Sequence, residues 1–495
     1  MYNLLIYVLK EIVLMTLTKE EKKRLLSLIP VGAPNGLKLN WNAKVERWYY
    51  YLSKIEYSAE KHRGVDHRVT VGYEKDGKFY YTQRYLLLQR AQKSEEVPED
   101  IKEASAEIRK KLEKVVKDKR LTHLVVYPID VIFTVAFLAC LSGVTDCIGI
   151  ADYWKANRSF LEKLFDDFPK SDISHDTIRK VFMLHKPDEL AKLFKQFTKC
   201  FLSLYSVRII GVDGQMVKAT KDTAEGETGR YILNVFDITN GMSLAQKLIS
   251  KKTNEIPAAQ TIIKTMDLAG CVVTADALHT QTKTAKLIID AGGNYCLALK
   301  KNQDSLYEYV ATYFEKPGKG VKTAKSTDDE HGRLEERTIW VLSAKFLPPT
   351  YRETWEGLDG GCIVRVQAKR TIKATGEVSV ENRYYISSLD FEDAAIAQKM
   401  LHFVRQHWGI ENSLHHVLDV NFLEDRIQCK RPTYLKNRTL LIKLAHNVHA
   451  KYQQLLEKDD QPHVSRSRLL TLLSTAEKAA ECWQKVLLDS QGGAN

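Results

Sequence analysis

The sequence lacks the closely spaced cysteines that mark zinc-knuckle or disulfide-stabilised proteins. Its eight cysteines are scattered singly among 495 residues, and the closest pair is Cys140 and Cys147. Because no CxxC motif occurs, neither a zinc knuckle nor a disulfide framework is expected. We expect the cysteines to be reduced core residues of a cytoplasmic protein.

Long hydrophobic runs are also missing. The apolar stretch at residues 131–143 is well short of the roughly 20 residues that span a bilayer, and it predicts a buried helix. The apolar start, residues 1–17, is interrupted by Lys10 and Glu11 and has no small-residue cleavage site. These features favour neither a membrane protein nor a secreted one.

Charge is the compositional feature that suggests a partner. The chain carries 74 Lys and Arg residues against 62 Asp and Glu residues, a formal net charge of +12. Such a balance is expected of a protein that binds a polyanion, although a basic surface that is merely solvated is the alternative. The hydrophobic share of 44% and the charged share of 27% are ordinary for a soluble globular protein, and the length predicts about three domains.

Changes of periodicity along the chain predict the domain order. Residues 1–120 are an extension of unknown role, with a small sheet within residues 40–89 and a charged linker helix at 101–120. The units predicted after it are a helical domain at 121–205, the first part of an α/β core at 206–317, a β-rich insertion at 318–388, the second part of the core at 389–455 and a polar C-terminal tail at 456–495.

The core pattern predicts a ribonuclease H-like fold, a mixed sheet flanked by helices. Three strands in a meander, with an Asn-Gly hairpin turn at residues 240–241, are followed by two strands that helices connect. In that topology the first and fourth strands are neighbours at the sheet centre. Asp213 follows the first strand and Asp276 follows the fourth, so we expect the two carboxylates to be adjacent.

A third carboxylate is predicted on a helix anchored in the core. Apolar Ile410, Leu414 and Val417 recur at helical spacing and predict the buried face. On a neighbouring face, residues 407, 411, 415 and 419 form a polar ridge that includes Glu411. Together with Asp213 and Asp276, Glu411 completes a set of hard oxygen ligands of the kind that two Mg²⁺ or Mn²⁺ ions prefer.

Other interpretations of these residues are open. An aspartate before a glycine, as at Asp213, is commonly a turn residue. His407, Glu411 and His415 could bind Zn²⁺ through imidazoles four residues apart, although their spacing matches no known zinc motif. A purely structural role, with each histidine satisfied by polar neighbours, is the third possibility.

Six segments, in order, resemble the H-repeat-associated branch of bacterial insertion-sequence DDE transposases. They are VDG at 212–214, TNEIP at 253–257, VVTADA at 272–277, GNYCLALK at 293–300, HGRLEER at 331–337 and HWGIENSLH at 407–415. The helical stretch at 128–182 looks like the N-terminal associated domain of that family, so the resemblance covers roughly residues 120–450. Gln215, where such proteins often carry lysine, and His416, where tryptophan is common, depart from the pattern.

The resemblance implies that Asp213, Asp276 and Glu411 are the catalytic, metal-binding DDE triad, and that His331, Arg333 and Arg337 of the insertion bind the transposon end. Charge independently suggests further DNA contacts, because residues 426–443 contain six basic side chains and no acidic one. A solvated helix face is the alternative. The predicted contacts from this segment are Arg426, Lys430, Arg431, Lys436 and Arg438, and Lys443 is the sixth basic residue.

The sequence therefore predicts a DNA transposase that binds insertion-sequence ends and cleaves and joins strands with two divalent ions. Because two ends must be brought together, we expect a homodimer on DNA in the cytoplasm, associated with the nucleoid. The alternatives are a domesticated, catalytically inactive DNA-binding protein that keeps the fold, and a ribonuclease H-like nuclease without strand transfer.

Overall fold

A small antiparallel sheet lies near the start of the described chain. The computed structural model describes residues 18–492 except 31–32, 43–46, 59–62, 76, 83–96, 203–206, 222–228, 250–253, 316–318, 331, 427–430 and 460–462. Helix α1 (Lys19–Ser27) is followed by β1 (Lys38–Asn42), β2 (Arg47–Ser58), β3 (Arg63–Lys75) and β4 (Lys78–Tyr81), which pair in that order. The sheet predicted within residues 40–89 is thus confirmed where the chain is described. Tyr50 and Val71 are buried and give it an apolar interior.

A bundle of helices follows. It comprises α2 (Glu99–Val115), α3 (Ile129–Leu141), α4 (Cys147–Ala156), α5 (Arg158–Leu164), α6 (His175–Leu184) and α7 (Pro187–Phe201). Every residue of α3 is buried, as its apolar run predicts, and none of the described helices is long and apolar enough to cross a membrane. The expectation of a solvated linker helix at 101–120 is wrong, because Ile101, Ile108 and Leu112 bury one face of α2 in the bundle.

The end of the chain belongs to the same bundle and is not a polar tail. It forms α15 (Arg466–Leu472) and α16 (Ala476–Gly492). Trp483 of α16 is fully buried, with its ring edge-on to Phe137 at 5.3 Å and to Phe197 at 4.9 Å between centroids. The indole N–H donates to the carbonyl of Ala104 at 2.9 Å. A buried tryptophan with a satisfied N–H is a strong anchor, so residues 476–492 complete the helical core.

The main sheet has nine strands. They are β5 (Arg208–Val217), β6 (Arg230–Asp237), β7 (Met242–Ile249), β8 (Cys271–Ala275), β9 (Asn294–Leu299), β10 (Lys322–Glu330), β11 (Arg333–Ser343), β12 (Cys362–Ile372) and β13 (Val378–Ser387). Their order across the sheet is β10-β11-β12-β13-β9-β8-β5-β6-β7. β5 to β7 form an antiparallel meander, and β5 pairs in parallel with β8, which pairs in parallel with β9. The predicted adjacency of the first and fourth core strands is confirmed.

The predicted β-rich insertion extends this sheet and does not form a separate one. β13 pairs antiparallel with β9, with Tyr384 opposite Leu299, so backbone hydrogen bonds run continuously into the insertion. The connecting and flanking helices are α8 (Glu255–Ile263), α9 (Thr282–Asp290), α10 (Asp304–Glu315), α11 (Pro349–Thr354) and α12 (Ile396–Gln406). The side chains of α8, α9 and α10 contribute to one apolar cluster of the sheet, and those of α12 to another.

Helix α14 (Pro432–Lys458) joins the bundle to the sheet. It contacts α3, α6 and α7 on the bundle side and β7 on the sheet side. Leu440, Leu441, Ile442 and Val448 face in several directions around it, and all are buried. A helix that is buried all round occupies a core position, so polar side chains on α14 are enclosed unless they lie near its ends.

Candidate active site

Asp213 and Asp276 lie on the two central strands of the sheet. Val212 of β5 is opposite Ala275 at the end of β8, so the two aspartates are the next residues on neighbouring parallel strands. β5 itself continues to Val217 and pairs Asp213 with Asn234 of β6, which places Asp213 within a strand and not at its end. The turn that follows Asp276 is capped by this side chain, which accepts from the N–H of Leu278 at 3.0 Å.

Glu411 reaches the site on a helical segment that packs against β5. Residues 411–415 form a π-helical turn that continues into α13 (His416–Val420), and such turns are frequent at functional sites. Two glycines permit the close approach. A Cβ at Gly211 would lie 3.3 Å from the Cβ of Ile410, and one at Gly409 would lie 2.7 Å from a methyl of Ile238.

The predicted faces of this segment are confirmed. Ile410, Leu414 and Val417 are buried in the core. The other positions of the polar ridge contact the central strands. His407 lies 3.3 Å from the hydroxyl of Thr274, His415 lies 3.6 Å from a carboxylate oxygen of Asp213, and the Gln215 amide donates to Asp419 at 2.8 Å. The imidazoles at 407 and 415 have separate polar partners, so the ladder does not present them jointly to one ion.

Three other carboxylates lie within electrostatic range of Asp213. The pKa of Asp213 is raised to about 7, chiefly by burial and in smaller part by the carboxylates of Asp276, Glu411 and Glu255, against a hydrogen bond from the Gly214 N–H that lowers it. Carboxylates close enough to repel one another form a site where a counter-charge would be stabilising. In the described parts of the chain, no three His, Cys, Asp or Glu side chains converge in a geometry that holds a metal ion.

Glu255 is a fourth carboxylate at this site, which sequence reasoning did not assign. It begins α8, is 3% exposed, and packs against Gly214, where a Cβ would lie 2.5 Å from its Oε1. Its Oε2 is 4.0 Å from Nε2 of buried His279. The signal available in the sequence was the TNEIP segment at 253–257, in which an acidic residue opens a helix that packs on the sheet.

Burial lowers the pKa of three histidines around the acids. It is the main cause for His279, for His407 and for His415. The pKa of His415 is lowered to about 4 by burial together with the neighbouring Lys443. Because His415 is neutral, its 3.6 Å contact with Asp213 is not an ion pair.

A groove leads away from Glu411 between the extended sheet and the helix that carries it. It has a volume of about 640 Å³. Its charged and aromatic lining includes Arg333, Glu335, Arg337, Arg370, Glu381, Arg383, Arg405, Trp408 and Glu411. Trp408 is 46% exposed, and the Arg383 guanidinium lies 5.4 Å from the centre of its ring. Arg383 also pairs with Glu381 at 2.8 Å, and Arg405 pairs with Asp328 at 3.0 Å.

The predicted DNA contacts lie in different environments. Arg333 and Arg337 line the groove, Arg337 being paired with Asp328 and Glu335. Arg426 and Arg431 are exposed, and Lys436 is half-buried. His331 and Lys430 lie outside the described residues.

Arg438 does not contact solvent, and its prediction as a phosphate contact is wrong. It is 2% exposed and donates to the carbonyls of Thr145, Leu423 and Glu424 and to the Thr145 hydroxyl, at 2.8–3.2 Å. Lys443, one turn and a half further along α14, is also fully buried. Both side chains sit where α14 is enclosed on all sides, so the basic run at 426–443 is only partly a surface.

Comparison with protein families agrees with this arrangement. Residues 206–448 match the model described as "Transposase DDE domain", which spans the sheet, both aspartates and the Glu411 helix, and residues 111–198 match the model described as "DDE_Tnp_1-associated". This chain belongs to the DDE transposase family. The helical bundle therefore contains the family's associated domain, and the resemblance to the H-repeat-associated branch is confirmed by the relatives of the chain.

This chain covers most of the length of several bacterial relatives. YncI of Escherichia coli O157:H7, whose name describes it as a transposase, is 28% identical over 380 residues, 74% of this chain and 93% of the relative. The H repeat-associated protein YhhI of Escherichia coli K12 is 26% identical, over 64% of this chain and 83% of the relative. An uncharacterized protein from the dhlA 3' region of Xanthobacter autotrophicus is 30% identical, over 54% of this chain and 90% of the relative.

A solved structure of the piggyBac transposase synaptic complex with hairpin DNA was also matched. It shares 14% sequence identity with this chain and has a TM-score of 0.39, covering 82% of this chain and 81% of that one.

Proposed function

We propose that this chain is a DNA transposase that binds insertion-sequence ends and catalyses strand cleavage and strand transfer at Asp213, Asp276 and Glu411. The core strand order, a three-stranded meander followed by two parallel strands, supports a ribonuclease H-like core. The observation that carries the proposal is that two acids far from Asp213 in sequence both lie within electrostatic range of it. Asp276 and Glu411 are close enough to Asp213 to raise its pKa.

Such a cluster is unfavourable in itself and points to a functional role. Like charges close to one another on the central strands of a sheet destabilise one another, and a carboxylate with a raised pKa in a cleft is typical of catalytic sites. Their donor chemistry fits Mg²⁺ or Mn²⁺, which prefer carboxylate oxygens. Asp213, Asp276 and Glu411 would hold the two ions, and the bound ions would supply charge stabilisation for an in-line phosphoryl displacement.

The groove supports a path for the DNA strand that is cut. Arg333 and Arg370 on β11 and β12 and Arg405 on α12 offer guanidinium groups along it, and Glu411 is part of its lining. Guanidinium groups bind phosphates in a planar, bidentate way, and an exposed tryptophan such as Trp408 is a surface on which a base can stack. The charges of the groove would thus bring a phosphate to Glu411.

The exposed start of α14 supports a second DNA contact. Arg426 and Arg431 are exposed and Lys436 is half-buried, and they follow the Glu411 segment in the chain. Phosphate contacts position DNA without reading its sequence. Since two transposon ends must be joined in one reaction, we propose that a homodimer forms on DNA, and that the protein is associated with the nucleoid.

The test is end-binding and end-cleavage measured on the same purified variants. Asp213→Asn, Asp276→Asn and Glu411→Gln should each lower cleavage by several orders of magnitude, because each removes one charge from a set that acts as a unit. Binding of the end should stay the same or rise slightly, since a carboxylate that repels phosphate is gone. Glu308→Gln, an exposed acid on α10, is the matched control and should cleave like the parent.

Three outcomes would contradict the proposal. If Glu411→Gln cleaves ends as well as the parent does, the triad assignment fails. If the parent binds ends and never cleaves them with Mg²⁺ or Mn²⁺ present, the inactive DNA-binding interpretation replaces the enzyme. If the parent cleaves and never joins the ends to a target, the nuclease interpretation replaces the transposase.

A further inference from the structure

A chain of polar contacts runs from the back of Asp213 to a lysine in the protein interior. Oδ2 of Asp213 is 3.6 Å from Nδ1 of His415, and Nε2 of His415 is 3.1 Å from Nδ2 of Asn234. Oδ1 of Asn234 accepts from Nζ of Lys443 at 2.5 Å, and Lys443 also donates to Oε1 of Gln246 at 2.6 Å. Lys443 and Asn234 are fully buried.

The lysine fixes the direction of every hydrogen bond in this chain. An ammonium group can only donate, so the Asn234 atom that faces it must be the carbonyl oxygen, and the amide nitrogen must face His415. The carbonyl of Ile232, 3.5 Å from that nitrogen, favours the same orientation. Because the amide nitrogen donates, Nε2 of His415 must accept. The single proton of the neutral ring is then on Nδ1, toward Asp213.

We propose that Lys443 and Asn234 are positioning residues that hold the Nδ1 proton of His415 toward Asp213, and that His415 thereby orients the Asp213 carboxylate. The inference rests on the proposed function, in which Asp213 is a metal ligand. The other oxygen of Asp213 accepts from the Gly214 N–H at 2.9 Å. A donor facing each oxygen restricts the plane of the carboxylate and leaves its remaining lone pairs free for a metal ion.

Two features argue against a role in stability alone. Burial of an ammonium group costs several kcal/mol, and a methionine of similar length would fill the same space without that cost. In addition, the 3.6 Å separation between His415 and Asp213 is a few tenths of an ångström beyond a hydrogen bond. A contact of that length contributes little to stability.

The first test measures the position of the proton in the metal-free protein. Solid-state NMR of protein labelled with ¹⁵N-histidine distinguishes the two neutral tautomers, and the signal of His415 is the one missing in His415→Gln. We expect the Nδ1–H tautomer in the parent and a mixture in Lys443→Met, in which the Asn234 amide is free to turn over. An Nε2–H tautomer in the parent, or an unchanged spectrum in Lys443→Met, would overturn the proposal.

The second test separates the two nitrogens of His415. Asparagine places an amide at the position of Nδ1, and glutamine places one at the position of Nε2. His415→Asn should keep the parental affinity for Mn²⁺, measured by titration of the protein without DNA, while His415→Gln and Lys443→Met should weaken it by about 10–100-fold. The Mg²⁺ concentration for half-maximal end cleavage should rise in His415→Gln and Lys443→Met and stay at the parental value in His415→Asn. End-binding should be unchanged in all three variants.

Lys451→Met and His402→Gln are the matched controls. Lys451 is a buried lysine of the same helix α14 that pairs with Asp489 at 2.9 Å, and His402 is an exposed histidine of α12. Neither should change the Mn²⁺ affinity. Equal losses in His415→Asn and His415→Gln, or no loss in either, would overturn the proposal. If the parent cleaves no end, the proposed function fails, whereas the tautomer and Mn²⁺ measurements still decide whether the chain orients Asp213.

Discussion

Removal of the buried charge at Asp213 should stabilise the metal-free protein at alkaline pH. The pKa of Asp213 is raised from 3.8 to about 7 in the folded protein, chiefly by burial. Between these two values the folded state holds a proton that the unfolded state has released, so the free energy of unfolding falls as pH rises. The difference between the two pKa values corresponds to about 4 kcal/mol of stability. Because 25% of the Asp213 side chain is exposed, we expect the free energy of unfolding to fall by about 2–4 kcal/mol.

Asp213→Asn removes this dependence because asparagine does not titrate. In a chelator, urea unfolding should show the variant and the parent nearly equally stable at about pH 4, where the aspartate is protonated in the folded state and only about half ionised in the unfolded state. At about pH 8 the free energy of unfolding of the variant should exceed that of the parent by about 2–4 kcal/mol. Added Mg²⁺ should reduce this difference in stability by stabilising the parent more than the variant, since a cation offsets the repulsion among the carboxylates.

Asp290→Asn is the control, because Asp290 is an exposed acid on α9 that pairs with Lys286. It should change stability little and to the same extent at both pH values. Parallel loss of stability with pH in the parent and in Asp213→Asn would refute the reasoning. It would mean that the pKa of Asp213 is not raised in the folded state.

Three other expectations follow from the packing. Arg438→Met should destabilise the fold by about 2–4 kcal/mol in urea unfolding, because it leaves buried carbonyls without donors. Arg431→Ala should leave stability unchanged and lower the slope of log DNA affinity against log salt concentration by about 0.9. The reverse pattern would contradict the burial of Arg438. Trp483→Ala should cost about 3–5 kcal/mol, and a loss under 1 kcal/mol would mean that residues 476–492 are not part of the core. Gln215→Lys should stabilise the protein by about 1 kcal/mol at neutral pH, since a charged donor replaces the amide beside Asp419. In a double-mutant cycle, the Asp419→Asn background should show no such stabilisation. If the stabilisation persists there, the lysine interacts with another partner.

The sequence alone was sufficient for features that depend on local periodicity. The strands and helices of the core, the hairpin at residues 240–241, and the stripe of Ile410, Leu414 and Val417 were predicted because the side-chain period reports which face is buried. The chain order of three strands and two helix-linked strands was enough to place Asp213 beside Asp276. The carboxylates themselves were identified by residue type and by resemblance.

Only the tertiary structure decided the position of side chains whose partners are distant in sequence. The basic run at 426–443 suggested a surface, but the acceptors of Arg438 include Thr145, almost 300 residues earlier, and Lys443 is enclosed by strands β6 and β7. Charge patterning cannot distinguish a solvated cation from a buried one, because burial is decided by whichever elements pack against the helix. The same holds for Glu255, whose place beside Asp213 depends on how α8 packs on the sheet.

The end of the chain shows this limit most clearly. Residues 456–495 are polar on average, which predicted a tail, yet one face of α16 carries Trp483 into the bundle against Phe137 and Phe197. A local sequence determines which residues can form a helix and which face is apolar. Whether that face finds a partner is determined by the rest of the fold, since apolar surface is buried only where another element covers it.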